Sequence, residues 1–349
     1  MIAMNKYSNH IDLALSIEIT EKPVVLDLFA GCGGLSLGFE SVGFETIGYE
    51  MVEEAAGTYN KNLKGKCFCE KLSIGHDYPN NKKIDIVIGG PPCQPFSVFG
   101  NQLGMKDARD GFPIFIDAVK RIKPKVFLFE NVRNLAFSHK DYLDLILTEM
   151  RNLGYIVEFK VLNASKFGVP QNRERLIVVG HKSKFYFPKE LPKSVTVGEA
   201  LGDIMDIVTD EKMILTPRQD EYIAAYEKKS HCVRPRDLHP ELPSRTVTCR
   251  NLAGATSDML RVKLKDGRRK RISVREAARL QSFPDWFEFV GTESRQFYQI
   301  GNAVPPMLAH YLAQAIKETY YKPSKTEAEI FAINESCCYS YDLFAKVGT

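Results

Sequence analysis

Short apolar segments alternate with amphipathic ones over the first two-thirds of the chain, and this rhythm limits the possible folds more than any other feature. Five apolar runs predict strands, at residues 24–29, 46–49, 84–88, 125–129 and 176–179. Between them, amphipathic stretches such as 114–122 and 142–153 predict helices. Strands that alternate with helices are typical of a parallel sheet covered on both faces. We therefore predict an α/β fold with a doubly wound, mostly parallel sheet.

Charge and cysteine content restrict the class of protein only mildly. The 349 residues are 44% apolar and 26% charged, and their net charge of +4 permits a nucleic-acid partner without requiring one. The eight cysteines form neither a disulfide framework nor a zinc pattern, which is typical of a reducing cytosol. The sequence contains no signal-peptide core and no apolar stretch that could span a bilayer. We expect a cytoplasmic protein without membrane association or a bound metal.

The composition changes after Gly180, which predicts a second domain. The residues that follow are rich in Pro, Lys, Arg and Thr and lack the strand–helix rhythm. Within them, Ser273 and Glu276 have the spacing of a capping box that starts a helix. A last helix is predicted at about 306–320. The predicted division is a first domain of residues 20–180 with 298–322, a smaller second domain of residues 181–297, and terminal extensions at 1–19 and 323–349.

The first predicted strand ends in a glycine-rich turn, FAGCGG at residues 29–34. Glycine has no Cβ, so a ligand can approach the backbone of such a turn closely. The second predicted strand ends in Glu50, at about the spacing where nucleotide-binding folds place a carboxylate on ribose hydroxyls. Ser36 stands where a dinucleotide fingerprint has its third glycine. The turn and the carboxylate indicate a nucleoside-containing cofactor, with a tight turn beside a solvated glutamate as the alternative.

A proline-rich loop, PPCQPFS at residues 91–97, follows the third predicted strand. Its three prolines hold Cys93 in a stiff segment, which a nucleophile needs and an inert cysteine does not. The fourth predicted strand ends in Glu130. Because parallel strands end at the same edge of a sheet, we expect Cys93 and Glu130 to meet at one cleft. A thiol and a carboxyl group there indicate a nucleophile and a general acid.

Six motifs in order resemble the cytosine-5 DNA methyltransferase family and cover nearly the whole chain. They are residues 27–34 (DLFAGCGG), 91–97 (PPCQPFS), 130–132 (ENV), 171–175 (QNRER), 275–284 (REAARLQSFP) and 299–306 (QIGNAVPP). Each motif could arise by chance, whereas six in the same order are highly specific. The resemblance implies a Rossmann-like methyltransferase domain and a smaller target-recognition domain buttressed by the helix of the fifth motif. It also implies an enzyme of the prokaryotic restriction–modification type.

The resemblance further implies methyl transfer from S-adenosylmethionine to C5 of a cytosine that is flipped out of duplex DNA. The Cys93 thiolate would add to C6, and Glu130 would bond and protonate N3. C5 would then be an enamine carbon able to take the methyl group, and loss of its proton would expel the cysteine. Arg173 and Arg175 would grip the base edge and a neighbouring phosphate, and would favour the thiolate electrostatically.

The same resemblance implies a cofactor pocket lined from several motifs. Its residues would be Phe29, Gly31, Gly33, Glu50, Met51, Ser73, Ile74, Pro91, Ile114, Asn302 and Val304. Met51 would lie against the adenine, with a core residue at the start of a helix as the alternative. The family places an Asp against the adenine amino group, but residues 72–74 here read LSI and Asp77 is misplaced. We therefore assign the adenine contact to Ser73 and Ile74.

Sequence recognition is expected in the basic, proline-rich part of the second domain, where residues 243–251 read PSRTVTCRN. Arg and Asn can pair with guanine and adenine edges, and Thr can touch a thymine methyl group. The predicted DNA-binding residues are Ser97, Arg245, Thr248, Arg250 and Asn251. Four nearby cations either meet phosphates or form a solvated face, namely Lys263, Lys265, Arg268 and Arg269.

The sequence leaves three alternative functions to be distinguished. A transfer-RNA cytosine-5 methyltransferase shares the catalytic core, although the long recognition segment and the PFS sequence at 95–97 favour DNA. A nicotinamide oxidoreductase would explain Glu50 and the glycine turn, but not the proline-bound cysteine or the paired arginines. A catalytically inactive DNA-binding module would not need every reacting residue. We expect a monomer that acts on double-stranded DNA, and the sequence allows functional pairing with a restriction endonuclease.

Overall fold

The computed structural model describes residues 5–18, 23–79, 82–92, 110–231, 236–253 and 258–334. Within these residues the strands are β1 Val24–Leu28, β2 Glu45–Glu50, β3 Lys66–Cys69, β4 Ile86–Gly89, β5 Val126–Val132, β6 Ile156–Asn163, β7 Glu174–His181, β8 Arg261–Lys263 and β9 Arg269–Arg271. The helices are α1 Lys6–Ala14, α2 Gly34–Glu40, α3 Glu53–Asn62, α4 Phe112–Ile122, α5 Lys140–Asn152, α6 Val197–Leu201, α7 Pro217–Lys229, α8 Cys249–Ala253, α9 Val274–Leu280, α10 Glu293–Asn302 and α11 Pro306–Tyr320.

Seven strands form one sheet in the order β3-β2-β1-β4-β5-β7-β6. The first five strands of this order run parallel, whereas β7 is antiparallel to both of its neighbours. This arrangement confirms the predicted α/β fold with a mostly parallel sheet. Glycine turns and polar residues that follow β1, β2, β4 and β5 consequently lie along one edge of the sheet, where ligands of such folds bind.

The central strands are buried on both faces, as all five residues of β1 illustrate. Successive side chains of a strand point to opposite faces, so neighbouring residues join different cores. Val25 packs in the core that contains residues of α2 and α11, while Leu26 packs in the core formed with α4 and α5. Each fully buried large apolar side chain stabilises the fold by about 1.5–3 kcal/mol.

Several side chains in the region 1–19, which was predicted as a terminal extension, pack against the rest of the protein. Tyr7, Ile11 and Leu15 of this region are buried. The Asn5 side chain donates a hydrogen bond of 2.7 Å to Asp203 Oδ1, which attaches the start of α1 to the segment after α6. The strands β3 and β6 were also not predicted. The division into two domains stays a prediction.

The segment after β7 lacks the regular alternation of strands and helices, as its composition indicated. The predicted capping box is present, because Ser273 accepts from the backbone N–H of Glu276 and Glu276 accepts from that of Ser273. The last helix has the predicted bounds, Pro306–Tyr320. Among the described residues, we find no helix whose length and apolar character would let it cross a membrane.

Candidate active site

The glycine turn after β1 is strained and partly open. Phe29 and Gly31 have φ angles of 62° and 56°, in the left-handed region that residues other than glycine rarely adopt. A Cβ on Gly31 would meet nothing within 4 Å, whereas one on Gly33 would lie 2.8 Å from Tyr59 Cδ2. Gly31 therefore faces open space beside the turn, while Gly33 is needed for packing against α3.

The carboxylate of Glu50 connects the ends of β1 and β2. Its Oε2 accepts from the backbone N–H of Gly31 at 2.9 Å, and its Oε1 accepts from the backbone N–H of Val52 at 2.9 Å. These bonds fix the carboxylate at the open side of the glycine turn. An oriented carboxylate beside a turn with room for a ligand fits a nucleoside-containing cofactor.

Exposed apolar side chains flank this carboxylate. Met51 and Ile74 are each 65% exposed, so Met51 is not a core residue at the start of a helix. Ser73 is exposed as well. The loop that carries Ser73 and Ile74 is tied to α4 by a hydrogen bond of 2.8 Å from the Gly75 N–H to Asp117. Apolar surface beside a fixed polar group is the usual composition of a small-molecule site.

Residues from two further motifs and from the start of α4 approach the same turn. A Cβ on Gly34 would lie 2.4 Å from the carbonyl oxygen of Val304, so the last motif lies directly against the start of α2. Asn302 of that motif is exposed. On the other side, a Cβ on Gly111 would lie 3.0 Å from the Phe29 ring and 2.4 Å from Pro92. Ile114, one turn further along α4, is half-buried.

Glu130 and Arg175 form the ion pair at the end of β5. In the antiparallel register Arg175 lies opposite Val132, which places its side chain diagonal to Glu130 on the same face of the sheet. Arg175 Nε is 2.8 Å from Glu130 Oε1, and each side chain is only 13% exposed. Low exposure and a fixed partner orient the Glu130 carboxyl group within the cleft.

The proposed nucleophile Cys93 and the predicted DNA contact Ser97 lie outside the described residues. The chain that leads into Cys93 is held at two successive carbonyls. Asn131 donates to the carbonyl oxygen of Pro91, and the N–H of Gly111 donates to that of Pro92, both at 2.9 Å. A Cβ on Gly90 would lie 3.9 Å from Glu130 Oε2. The segment therefore enters the Cys93 loop beside the Glu130 carboxyl group.

Arg173 has different partners from those predicted. Its side chain is buried, and its guanidinium donates to the carbonyl oxygens of Val247 at 2.7 Å and Ala303 at 3.0 Å. A third, longer bond of 3.3 Å reaches the carbonyl oxygen of Gly301. Burial, together with the nearby charge of Arg175, holds the pKa of Arg173 well below its usual range. The expected grip on a base edge or phosphate does not fit these contacts, because both terminal nitrogens are directed to buried carbonyls.

The predicted DNA-reading residues divide into two groups. Asn251 is 3% exposed and stabilises its own loop, because it accepts from the Thr248 N–H and donates to the carbonyl oxygen of Thr246, both at 2.9 Å. Its amide edge is therefore not directed to solvent, contrary to expectation. The Thr248 hydroxyl accepts from the Asn251 N–H at 3.3 Å.

Of the two predicted reading arginines, Arg250 is exposed, whereas Arg245 is half-buried and donates to Asp258 from both terminal nitrogens. The Arg245 side chain is 35% exposed and lies 2.9 Å from Asp258, and that of Arg250 is 68% exposed and lies 3.8 Å from the same carboxylate. Arg236 also pairs with Asp258, at 2.5 Å. Neither Arg236 nor Asp258 was predicted from the sequence, since nothing local connects residues that lie 22 positions apart.

Most of the four cations thought to contact phosphates have acidic partners. Lys265 lies 2.8 Å from Asp206, and Arg268 lies 2.8 Å from Asp266. Arg269 contacts two carboxylates, those of Asp237 and Asp220, at 3.0 and 3.2 Å. Lys263 is exposed and has no ion pair with any described residue.

Comparison with known proteins agrees with this architecture. The model of the C-5 cytosine-specific DNA methylase family matches residues 24–318. The Type II methyltransferase M.AplI of Arthrospira platensis is 53% identical over 319 residues, which cover 90% of this chain and 92% of the relative. M.XorII, a Type II methyltransferase of Xanthomonas oryzae, is 31% identical over 380 residues, covering 90% and 89% of the two chains.

Solved structures share the fold. A candidate DNA modification methyltransferase encoded within an E. coli prophage aligns with a TM-score of 0.63 and 25% identity over 85% of this chain and 99% of its own. The Dnmt2 methyltransferase of S. pombe aligns with a TM-score of 0.65 and 16% identity over 84% and 98%, which is a likeness of fold alone. The resemblance deduced from the six motifs is thereby confirmed, and the chain belongs to the C-5 cytosine-specific DNA methylase family.

Proposed function

We propose that this DNA (cytosine-5) methyltransferase uses Cys93 as its nucleophile and Glu130 as its general acid on a cytosine flipped out of duplex DNA. The observation that carries this proposal is the position of Glu130. Its carboxyl group is fixed by Arg175 at 2.8 Å and lies beside Gly90, three residues before Cys93. The nucleophile and the general acid must both reach the same cytosine for the addition to occur.

The chemistry assigned to these residues is addition followed by elimination. The Cys93 thiolate forms a bond to C6, and the electron pair displaced from the ring moves toward N3, where Glu130 delivers a proton. The resulting enamine carbon, C5, is able to take a methyl group, which S-adenosylmethionine supplies. Return of the N3 proton to the Glu130 carboxylate and loss of the C5 proton to water then restore the C5–C6 double bond, and the electron pair of the bond between C6 and Cys93 leaves on sulfur as the thiolate. Arg175 keeps the Glu130 carboxyl group oriented toward the base.

The open glycine turn supports S-adenosylmethionine as the cofactor of this site. Glu50 would bind the ribose hydroxyls with the oxygen lone pairs left by its two backbone bonds. Met51 and Ile74 would cover the adenine, with Ser73 at its polar edge. The other proposed pocket residues are Phe29, Gly31, Pro91, Ile114, Asn302 and Val304, whereas Gly33 shapes the turn from behind.

Arg245 and Arg250 are the residues that we assign to sequence recognition, since Arg250 is exposed and Arg245 is partly exposed beside it on the same carboxylate, Asp258. Thr248 and Ser97 remain proposed contacts. The segment suits one target sequence, and relatives named as Type II methyltransferases support a role in protecting host DNA from a restriction endonuclease. We also propose that the enzyme is a cytoplasmic monomer. Bisulfite sequencing of methylated DNA would identify the target.

A mechanism-based trap tests the nucleophile directly. Fluorine at C5 cannot leave as a cation, so duplex DNA with 5-fluorocytosine at the target should remain bound to the enzyme after methylation. The adduct should survive denaturing gel electrophoresis, require S-adenosylmethionine for full yield, and map to a peptide that contains Cys93. Cys93→Ser should lose it, because a hydroxyl group is far less nucleophilic near neutral pH.

Cys32 provides the matched control, since this cysteine lies in the cofactor turn but is buried, and burial raises the pKa of its thiol to about 12. Its replacement by Ala should leave trapping intact. Methyl transfer by Cys93→Ala at an appreciable rate, or an adduct at another residue, would disprove the assignment. Transfer RNA offered in place of duplex DNA should accept no methyl group.

A further inference from the structure

A single backbone position in the predicted DNA-reading loop is held from both sides by buried side chains. The N–H of Val247 donates to Gln171 Oε1 at 2.9 Å, and its carbonyl oxygen accepts from Arg173 Nη1 at 2.7 Å. Val247, Gln171 and Arg173 are all buried. Gln171 and Arg173 directly precede β7, whose Arg175 pairs with Glu130. The reading loop is thus held by residues that lead into β7, the strand that carries one member of the ion pair between Arg175 and Glu130.

The same side chains also hold the motif expected at the cofactor. The second terminal nitrogen of Arg173 donates to the carbonyl oxygen of Ala303 at 3.0 Å, between the proposed cofactor residues Asn302 and Val304. Gln281 donates to the carbonyl oxygen of Ile300 at 2.6 Å. One guanidinium therefore bridges the reading loop and the end of α10.

Gln171 and Gln281 complete the arrangement by contacting each other. Gln171 Nε2 lies 2.7 Å from Gln281 Oε1 and 2.7 Å from the carbonyl oxygen of Leu280. Gln171, Arg173 and Gln281 therefore form one buried cluster, which we call the relay cluster. None of them has an exposed polar group that would leave it free to contact DNA or cofactor, since their relative exposures are 0%, 2% and 0%.

The elements joined by the relay cluster also touch through their backbones. A Cβ on Gly301 would lie 2.1 Å from the backbone nitrogen of Cys249 and 2.6 Å from the carbonyl carbon of Thr248. The reading loop consequently cannot approach the end of α10 any further. If it moves away, buried carbonyls lose their donors, which is unfavourable away from water.

We propose that the relay cluster couples DNA recognition to cofactor binding, with Arg173 as its central positioning residue. A duplex that shifts or orders the reading loop acts on Ala303 through the Arg173 guanidinium. A ligand that orders residues 302–304 acts on Val247 in the same way. Such coupling is reciprocal, because each ligand must change the affinity of the other by the same factor. This proposal rests on the proposed function, which assigns residues 245–250 to DNA and residues 302–304 to the cofactor.

The experiment measures the dissociation constant of a duplex with and without saturating S-adenosylhomocysteine, which occupies the cofactor site without reacting. The duplex carries the target found by bisulfite sequencing. In the wild-type protein the ratio of the two constants should be about fivefold or more, within the range typical of coupled sites. Arg173→Lys should bring the ratio close to one, because the donors of lysine share one nitrogen and do not reproduce the two separate terminal nitrogens that reach Val247 and Ala303. Gln171→Met, which removes the three side-chain hydrogen bonds of Gln171 at nearly constant volume, should reduce the ratio in the same direction.

Arg261→Lys is the matched control, since Arg261 is also fully buried but contacts Asp237 and Glu227 outside the relay cluster. It should lower the melting temperature and leave the ratio unchanged. A wild-type ratio near one, or an unchanged ratio in both Arg173→Lys and Gln171→Met, would overturn the proposal. If Arg173→Lys weakens duplex binding but leaves the ratio unchanged, the result would instead indicate that Arg173 contacts DNA directly. These binding measurements involve no turnover, so they stay informative even if trapping disproves Cys93 as the nucleophile.

Discussion

Buried ionisable side chains have different partners in the sheet that carries the candidate active site and in the segment formed by residues 181–297. In the second region, buried basic side chains lie in ion pairs. The pairs are Arg261 with Glu227 and Asp237, Lys270 with Glu276, and Arg279 with Asp203 and Asp285. In the sheet region, Asp27 and Arg173 are just as buried, but neither forms an ion pair with any described residue.

The difference has a physical reason. Removing a charged side chain from water is costly unless an oppositely charged partner and hydrogen bonds compensate it, and the buried basic side chains of the second region have such partners. An ionisable group that is buried without a charged partner is costly to ionise, so it persists where another requirement outweighs stability. Asp27 lies directly before the cofactor turn, and Arg173 lies between the proposed DNA and cofactor loops. We infer that Asp27 and Arg173 lower the stability of the sheet region because they shape its site, whereas the buried basic side chains of the second region do not have this cost.

The largest effect is expected from Glu130, the one charged residue of the cleft that acts on the base. Glu130→Gln keeps the size of the side chain but removes its acidic proton, so single-turnover methyl transfer should slow by about 10²–10⁴-fold. The matched control is Glu174→Gln, which removes a nearby exposed carboxylate that pairs with Arg133 at 2.7 Å. Equal rates for the two variants would show that Glu130 is not the general acid.

Asp27 should make the folded state less stable as pH rises. Burial raises its pKa from 3.8 to about 7, so between these values the folded protein binds more protons than the unfolded chain. The free energy of unfolding should therefore fall across this window, by an amount on the order of 4 kcal/mol at most. Asp27→Asn abolishes this contribution, and its unfolding free energy should vary less with pH than that of the wild type. The free energies of unfolding of the wild type and of Asp27→Asn can be measured with urea across this pH window. If they change with pH in parallel, the expected cost of Asp27 is contradicted.

Glu50 tests whether the open glycine turn binds the cofactor. Glu50→Ala should weaken S-adenosylmethionine binding by about 1–3 kcal/mol, as expected for a lost hydrogen bond to a charged group. Ser73→Ala should weaken it much less. Glu53→Ala is the control, because this neighbouring carboxylate is exposed at the start of α3. Calorimetry that shows unchanged affinity in a folded Glu50→Ala variant would exclude Glu50 from the site.

The sheet could be predicted from sequence because its strands are short apolar runs between amphipathic helices. Even so, β3 escaped prediction, since this four-residue strand at the edge of the sheet contains an exposed Lys66 and two cysteines. The helix α1 escaped as well, because it buries only two apolar side chains, Tyr7 and Ile11, along a largely polar sequence. Local patterns reveal elements that are buried on both faces more readily than elements at the periphery.

Site residues at the ends of predicted strands could be identified from the sequence. Contacts between residues that are far apart in the sequence could not. Glu130 and Glu50 lie where the ends of parallel strands require them. The paired-arginine motif, by contrast, does not show that Arg173 points inward while Arg175 points into the cleft. Partners such as Val247 and Asp258 depend on contacts across 74 and 13 positions, which no local pattern encodes.

The basic side chains of the β8–β9 hairpin provide the smallest test of the contrast between the two regions. Lys263 is exposed without an ion pair among the described residues, whereas Arg268 is paired with Asp266 beside it in sequence. A cation that contacts a phosphate releases counterions, and its loss should reduce the slope of log affinity against log salt by about 0.9. Lys263→Gln should therefore lower the slope by this amount on target and non-target duplexes alike. Arg268→Gln should change the slope much less, because Asp266 already neutralises that guanidinium. Equal slopes for the wild type and Lys263→Gln would assign the lysine to the solvated face. If Arg268→Gln lowers the slope by about 0.9 as well, DNA phosphates must displace Asp266 from Arg268. The ion pairs of this region would then form only in the absence of DNA and would not be fixed parts of the structure.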